Sequence, residues 1–259
     1  MLARIPVILF GIPAVYGLLV AAGDTVRLLF LILICLVGQF ELANMLNQEF
    51  PFKPLPEWLA GAGILVSAHF WGERGLMFAF AFSAVFLVVF TVFRGLRGDG
   101  YKRFTLGLFS LVYLPLCLGF YLLLGKTLGG QLLFIILASI WALDIGAYIF
   151  GMSIRGPKLS PKISPNKTIS GAVGGALSCI AFFFLMRHFN LINIADFRFW
   201  ALAISVASIG QIADLFESVL KRESEIKDSG ALLGAHGGIL DRIDSILFLG
   251  PLCYALLVI

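Results

Sequence analysis

Long apolar runs separated by short polar breaks set the pattern of this chain. Nine runs read as membrane-spanning helices: roughly Ile5–Ala22, Val26–Met45, Trp58–Trp71, Leu76–Phe93, Phe104–Leu124, Leu132–Phe150, Ile169–Phe189, Phe197–Ser218 and Ile239–Val258. Most approach the roughly 20 apolar residues that a helix needs to cross the hydrocarbon layer. They are continuous rather than alternating, which argues against the strands of a membrane β-barrel. The third run is short and carries His69, as a tilted, protein-buried or re-entrant helix would. The pattern predicts an all-α fold: a polytopic integral membrane helical bundle of about nine transmembrane helices, with no separate soluble domain. Residues 1–259 then form one membrane domain, with N-terminal helices in 1–130 and catalytic helices and loops in 131–259.

Composition agrees. Of 259 residues, 60% are hydrophobic and 13% charged, where a soluble domain carries about a quarter charged residues. Cys35, Cys117, Cys179 and Cys253 all lie in apolar runs without a ligand pattern, and read as small buried hydrophobes. The first run has no clear small-residue cleavage site and reads as a span. The net charge of +4 reflects loops beside a membrane rather than nucleic-acid binding. With the N-terminus inside, 14 of the 19 Lys and Arg residues fall on cytoplasmic segments and 5 outside, which fixes the direction by the positive-inside rule. Both long polar loops, 151–168 and 221–238, are then cytoplasmic, where nucleotides are available.

Chemistry concentrates in Ser218–Ser245, which holds nine charged side chains and His236. Charge near a bilayer is costly, so such a cluster marks a functional site by default. Just upstream, Asp214, Ser218 and Lys221 share one helix face. Asp241 and Asp244 stand three apart and can face one cavity, although two acids in a first helical turn also suit the helix dipole. Gly237 and Gly238 precede them and can offer backbone N–H groups to an anion. A second block begins at Asp144 inside a span and continues into a loop with Arg155, Lys158, Lys162 and Lys167. Pro157, Pro161 and Pro165 keep this loop non-helical, and basic residues here can also serve only topology and anionic lipid. Lys167 stands out because Thr168 opens directly into a helix, where phosphate could meet both lysine and helix N-terminus. Glu41, with Asn44 and Asn47 on its side, suits an interhelical hydrogen bond at least as well as catalysis. His69 and His188 read as structural. The inventory favours phosphoryl or nucleotidyl transfer, with Mg²⁺ on one or two carboxylates plus substrate phosphates. Paired carboxylates can also seat a second metal ion. No P-loop motif is present in the sequence.

The order Lys221-Arg222, Lys227-Asp228-Ser229-Gly230, His236-Gly237-Gly238-Ile239-Leu240-Asp241-Arg242-Ile243-Asp244 resembles the signature of the phosphatidate cytidylyltransferases, or CDP-diacylglycerol synthases. The block from Asp144 to Gly151 and the following Lys158–Gly171 segment resemble the same family's middle region. The resemblance implies transfer of CMP from CTP to phosphatidic acid, giving CDP-diacylglycerol and pyrophosphate, with Mg²⁺ as cofactor. It implies a catalytic set of Asp214, Asp241, Lys221, Arg222, Asp244 and His236, with metal on Asp214 and Asp241. Lys167, Lys227, Arg242, Asp144, Asp228, Gly237 and Gly238 would bind substrate. The partners implied are CTP, phosphatidic acid and membrane lipid, in a bacterial-type inner membrane with the site facing the cytoplasm; a homodimer is compatible with this. The chain departs from the family pattern at Gly234-Ala235, where Pro-Gly is usual, at Ala213 in place of Gly, and at Ser170 in place of Glu. Two other readings are a CTP-dependent polyprenol or phytol-type lipid kinase and a secondary transporter binding ions at Asp144, Asp214 and Glu41.

Overall fold

The computed structural model describes residues 5–46, 55–93, 100–230, 232 and 237–259. The helices in order are α1 (Ile5–Tyr16), α2 (Asp24–Leu46), α3 (Leu55–Phe93), α4 (Gly100–Leu111), α5 (Cys117–Leu128), α6 (Gly130–Ile154), α7 (Ile169–His188), α8 (Asp196–Glu223), α9 (Leu240–Leu247) and α10 (Leu249–Leu257). Strands β1 (Lys158–Ser160) and β2 (Ser164–Thr168) form a hairpin between α6 and α7. The chain is an all-α polytopic integral membrane protein.

Six helices among the described residues are long and apolar enough to cross a membrane, so the expected count of nine is not reached by that measure. The difference lies in how the apolar runs are broken. The third and fourth runs join in α3, interrupted only at Gly72, whose φ of 64° and ψ of −143° are non-helical. That conformation is open to glycine and strained for other residues. Lys126 donates to the His69 carbonyl beside this break, and Tyr254 donates to Glu73 just after it. The last run is not one span but two short helices, α9 and α10, meeting at Phe248. Tyr121 donates to the Ile246 carbonyl there at 2.7 Å, which satisfies an acceptor next to the break. The first run is a 12-residue α1 with Pro13 inside it, ending in a π-helical turn. Pro115 likewise sits in a π-helical turn between α4 and α5, the usual accommodation for a missing N–H inside a helix.

The rod Gly100–Leu128 forms the centre of the bundle, being 67% buried across its apolar window where α3 is 17% buried. Leu111, Tyr113, Leu114 and Leu118 are almost fully enclosed. Outward-facing Phe78, Phe82, Val85 and Phe93 on α3 form a lipid-type surface. All four cysteines are buried free thiols, as their apolar settings predict.

Packing is tightest between α6 and α7. A Cβ at Gly175 would meet the Leu143 carbonyl oxygen at 2.8 Å and Ala147 Cβ at 3.0 Å, and one at Gly171 would meet the Ala147 carbonyl oxygen at 2.8 Å. Small residues in this spacing let backbones approach inside a bilayer, where there is no hydrophobic gain from helix association. The two helices flank the hairpin, so this seam fixes the hairpin's root. Gly175→Val is expected to destabilise the detergent-solubilised protein by about 1–3 kcal/mol through overpacking, read as a lower thermal midpoint. Gly63→Ala, where an added Cβ meets nothing within 4 Å, is expected to hold or raise the midpoint. Equal midpoints for wild type and Gly175→Val would contradict the close-packed seam.

Candidate active site

Helix α7 has 20 residues and α8 has 28. At 1.5 Å per residue, α7 is about as long as the hydrocarbon is thick and α8 is longer. The two run antiparallel. Arg187 pairs with Asp196 at one end, and Lys167 pairs with Asp214 at the other. Asp214 therefore lies well along α8, beside the hairpin.

The hairpin exists because its sequence resists helix. Pro161 opens its turn, closed by Ile163 N–H donating to the Ser160 carbonyl at 3.3 Å, with proline at the position that favours it. Lys158 lies opposite Thr168 and Ser160 opposite Ser164, so extra residues around Pro165 bulge out of the pairing. Thr168 then caps α7, its hydroxyl accepting from Gly171 N–H at 3.1 Å, a standard N-cap. The cap fixes the backbone next to Lys167. Ser170, in place of the family's glutamate, donates to the Arg155 carbonyl and lies 3.1 Å from the Thr168 hydroxyl. It thus fastens the loop's start to its end.

The acidic side is built on α8 and α9. Lys221 lies between two carboxylates, pairing with Glu217 and, at 2.8 Å, with Asp241 Oδ1. Asp241 Oδ2 accepts Ser229 N–H at 3.0 Å and Gly238 N–H at 2.8 Å. Gly237 has φ of 77°, and a Cβ there would meet Asp241 Oδ2 at 2.6 Å, so both conformation and space call for glycine. The N–H groups of residues 238–240 go to carboxylates of the chain itself: Gly238 to Asp241, and Ile239 and Leu240 to Glu41. Asp244 is buried, accepts the Ser245 N–H at 2.6 Å, and faces Glu217. Asp144 opens from α6 into the same basin, within electrostatic reach of Asp214, Asp244, Lys167 and Arg242.

Arg222 joins the two sequence blocks directly, its Nε donating to the Ile163 carbonyl in the hairpin turn at 3.2 Å. Beneath the charges lies an aromatic floor. Tyr113, Phe216 and Phe248 pack with ring centroids 5.5–5.8 Å apart. Edge-on and tilted rings of this kind hold helices at fixed angles, here the central rod, α8 and the α9–α10 break.

The structure thus brings together Lys167, Asp214, Lys221, Asp241, Asp244, Asp144, Arg222 and Arg242. Lys227 and Asp228 are exposed on the bend after α8, next to Ser229, whose N–H reaches Asp241. His236 and the Gly234-Ala235 departure lie outside the described residues. Ala213 is fully buried beside Asp214. Glu217, Glu41 and Ser229 also belong to this network, outside the catalytic, substrate and metal set that the sequence predicts. Glu217 carried a signal, standing three residues after Asp214 and four before Lys221. Glu41 carries none that reaches the loop, since its partners there lie 188–199 residues away.

The donors are hard carboxylate oxygens, suited to Mg²⁺ rather than a soft metal. Among the described residues no three His, Cys, Asp or Glu groups gather as a ready-made cage. A Mg²⁺ site needs only one or two carboxylates when phosphates supply the rest, and Asp214 and Asp241 each already hold one cation, a lysine ammonium. The residues present therefore fit such an ion.

The chain is 34% identical over 242 residues to a phosphatidate cytidylyltransferase of Staphylococcus saprophyticus, covering 91% of both chains. It is 36% identical to one of Brucella suis, over 76% of this chain and 70% of that one. Against one of Thermotoga maritima it is 37% identical over 150 residues, 56% of each chain. A family model described as the cytidylyltransferase family matches residues 2–259, and the chain belongs to that family.

Proposed function

We propose that this protein transfers CMP from CTP to phosphatidate, forming CDP-diacylglycerol and pyrophosphate. One observation carries the reading. The two charged sequence blocks, separated by α7 and α8, close into a single basin through Lys167–Asp214 and Arg222–Ile163. This occurs in a chain whose relatives over most of its length are phosphatidate cytidylyltransferases.

In this reading a phosphatidate phosphate oxygen attacks the α-phosphorus of CTP in line, and the bond to pyrophosphate breaks. The attacking oxygen is already anionic near neutral pH, since the second pKa of a phosphate monoester is about 6. The chain therefore has to position and neutralise rather than remove a proton. Lys167 and Lys221 supply positive charge to the triphosphate and the leaving pyrophosphate, and Asp214 and Asp241 hold their ammonium groups at fixed points. Arg222 and Arg242 add charge at the rim. Mg²⁺, when bound, would rest on Asp214 and Asp241 and offset charge on the meeting phosphates. Leu36, Phe40, Trp58 and Leu232 wall an apolar groove of about 480 Å³ that reaches Ser229 and Gly230 beside the basin, which supports a lipid acceptor. The excess of cations on the segments flanking the site supports a cytoplasm-facing site in a bacterial-type inner membrane.

The purified protein in detergent micelles, given CTP, phosphatidate and Mg²⁺, is expected to release pyrophosphate and form CDP-diacylglycerol. Release of CDP instead would identify a lipid kinase, and no nucleotide turnover at all would remove the enzymatic reading. Asp214→Asn and Asp241→Asn are each expected to lower kcat about 100-fold or more, as loss of one preorganised electrostatic contact does elsewhere. Turnover within a fewfold of wild type in both variants would overturn the assignment of these carboxylates.

A further inference from the structure

The Glu41 carboxylate has no part in the proposed reaction, yet it is among the most thoroughly hydrogen-bonded acids of the described residues. It sits in the C-terminal half of α2, with 4% of its surface exposed. Among the described residues no ion pair reaches it. Its charge is met instead by donors of the catalytic loop: Ile239 N–H on Oε1 at 3.0 Å, Leu240 N–H on Oε2 at 2.8 Å, and the Ser229 hydroxyl at 3.5 Å. Two of these are charge-assisted bonds to backbone, the strong kind.

The same loop segments hold Asp241. Ser229 gives its hydroxyl to Glu41 and its N–H to Asp241; Gly238 gives its N–H to Asp241, and the next two amides go to Glu41. The two carboxylates grip one stretch of backbone through consecutive amides. Space around them is tight: a Cβ at Gly230 would meet Glu41 Oε1 at 2.6 Å, and one at Gly238 would meet Oε2 at 2.5 Å. The loop cannot shift relative to α2 without losing these bonds, and Asp241 cannot keep its orientation if the loop shifts. We propose that Glu41 is a positioning residue that sets the Asp241 carboxylate through the backbone of Ser229 and Gly238–Leu240. The proposal rests on the reading of Asp241 as a residue of the reaction site. It gives the N-terminal helices a direct part in that site.

Glu41→Gln keeps the shape of the side chain but turns one acceptor into a donor facing an N–H. It is expected to lower kcat about 10- to 100-fold, the size of loss that follows a displacement of about 1 Å at a reacting centre. KM for CTP should change less than about twofold, because Glu41 is not placed against the nucleotide. Since the effect passes through Asp241, the Glu41→Gln/Asp241→Asn double variant should be no slower than Asp241→Asn alone. Losses that multiply, or an unchanged kcat in Glu41→Gln, would overturn the proposal. Should Glu41→Gln fail to fold, Gly230→Ala displaces the carboxylate while retaining it, and the same kcat loss and the same non-additivity with Asp241→Asn are expected. Amide hydrogen exchange separates this proposal from the assigned reaction. Glu41→Gln should speed exchange at Ile239 and Leu240 at least about 10-fold and leave α6 and α7 unchanged; unaltered exchange there would show that the clasp is absent. A wild-type protein inactive on CTP and phosphatidate would count against the proposed reaction instead, and the exchange result would still decide whether Glu41 holds the loop.

Discussion

A carboxylate at the edge of a bilayer must have partners, and Asp241 has three: the Lys221 ammonium on one oxygen and the N–H groups of Ser229 and Gly238 on the other. A poorly satisfied charge in so little water would be unfavourable by several kcal/mol. Much of the surrounding structure follows from meeting that demand. Lys221 reaches Asp241 because α8 extends beyond the length needed to cross the hydrocarbon. Gly237 is required because the backbone must bend around the acid, and Gly238 because a side chain there would strike Ser229 and Glu41. Glu217, itself buried, shares the same lysine and fixes the ammonium from its other side. The Tyr113–Phe216–Phe248 floor keeps α8 and α9 at the spacing this network needs.

The same network resolves an apparent contradiction in composition. A chain so apolar has little room for charge, yet it gathers acids and bases at one end of the bundle. They are tolerable there because they neutralise one another locally and because backbone amides at the start of α9 add their own positive ends. A substrate rich in phosphate then meets a surface already arranged for charge, with little reorganisation left to do. The Lys167–Asp214 pair plays the matching part on the hairpin side.

Much of this was legible in the sequence. Continuous apolar runs gave the helical membrane class, and the spacing of Asp214 to Lys221 and of Asp241 to Asp244 placed those residues on helix faces that do meet. The opening of a helix at Thr168 is legible from residue types, and the structure adds the cap that the Thr168 hydroxyl makes. The breaks were less legible. Hydropathy does not register whether an apolar run stays helical, so the break at Phe248 has no signal in it, whereas the gap between the third and fourth runs does fall at Gly72. The hairpin was read only as non-helical, because three prolines exclude helix without specifying a strand pair. Glu41 was visible as an acid in a span, but its partners are backbone amides almost 200 residues away, and no local pattern encodes such a bond. Glu217 shows the opposite case, since its i+4 spacing to Lys221 was readable and simply weighed less than the aspartates.

The antiparallel return of α7 and α8 carries a topological consequence. Lys167 and Asp214 can meet only because the chain leaves the hairpin, crosses, and crosses back. The number of crossings between the two charged blocks must therefore be even. Gain or loss of one span in this interval would send the halves to opposite faces of the membrane, however well each block kept its residues. Parity thus constrains how such a chain can change: the turn between Phe189 and Ala195 can vary in length and sequence, whereas the pair of helices it joins must be kept or lost together.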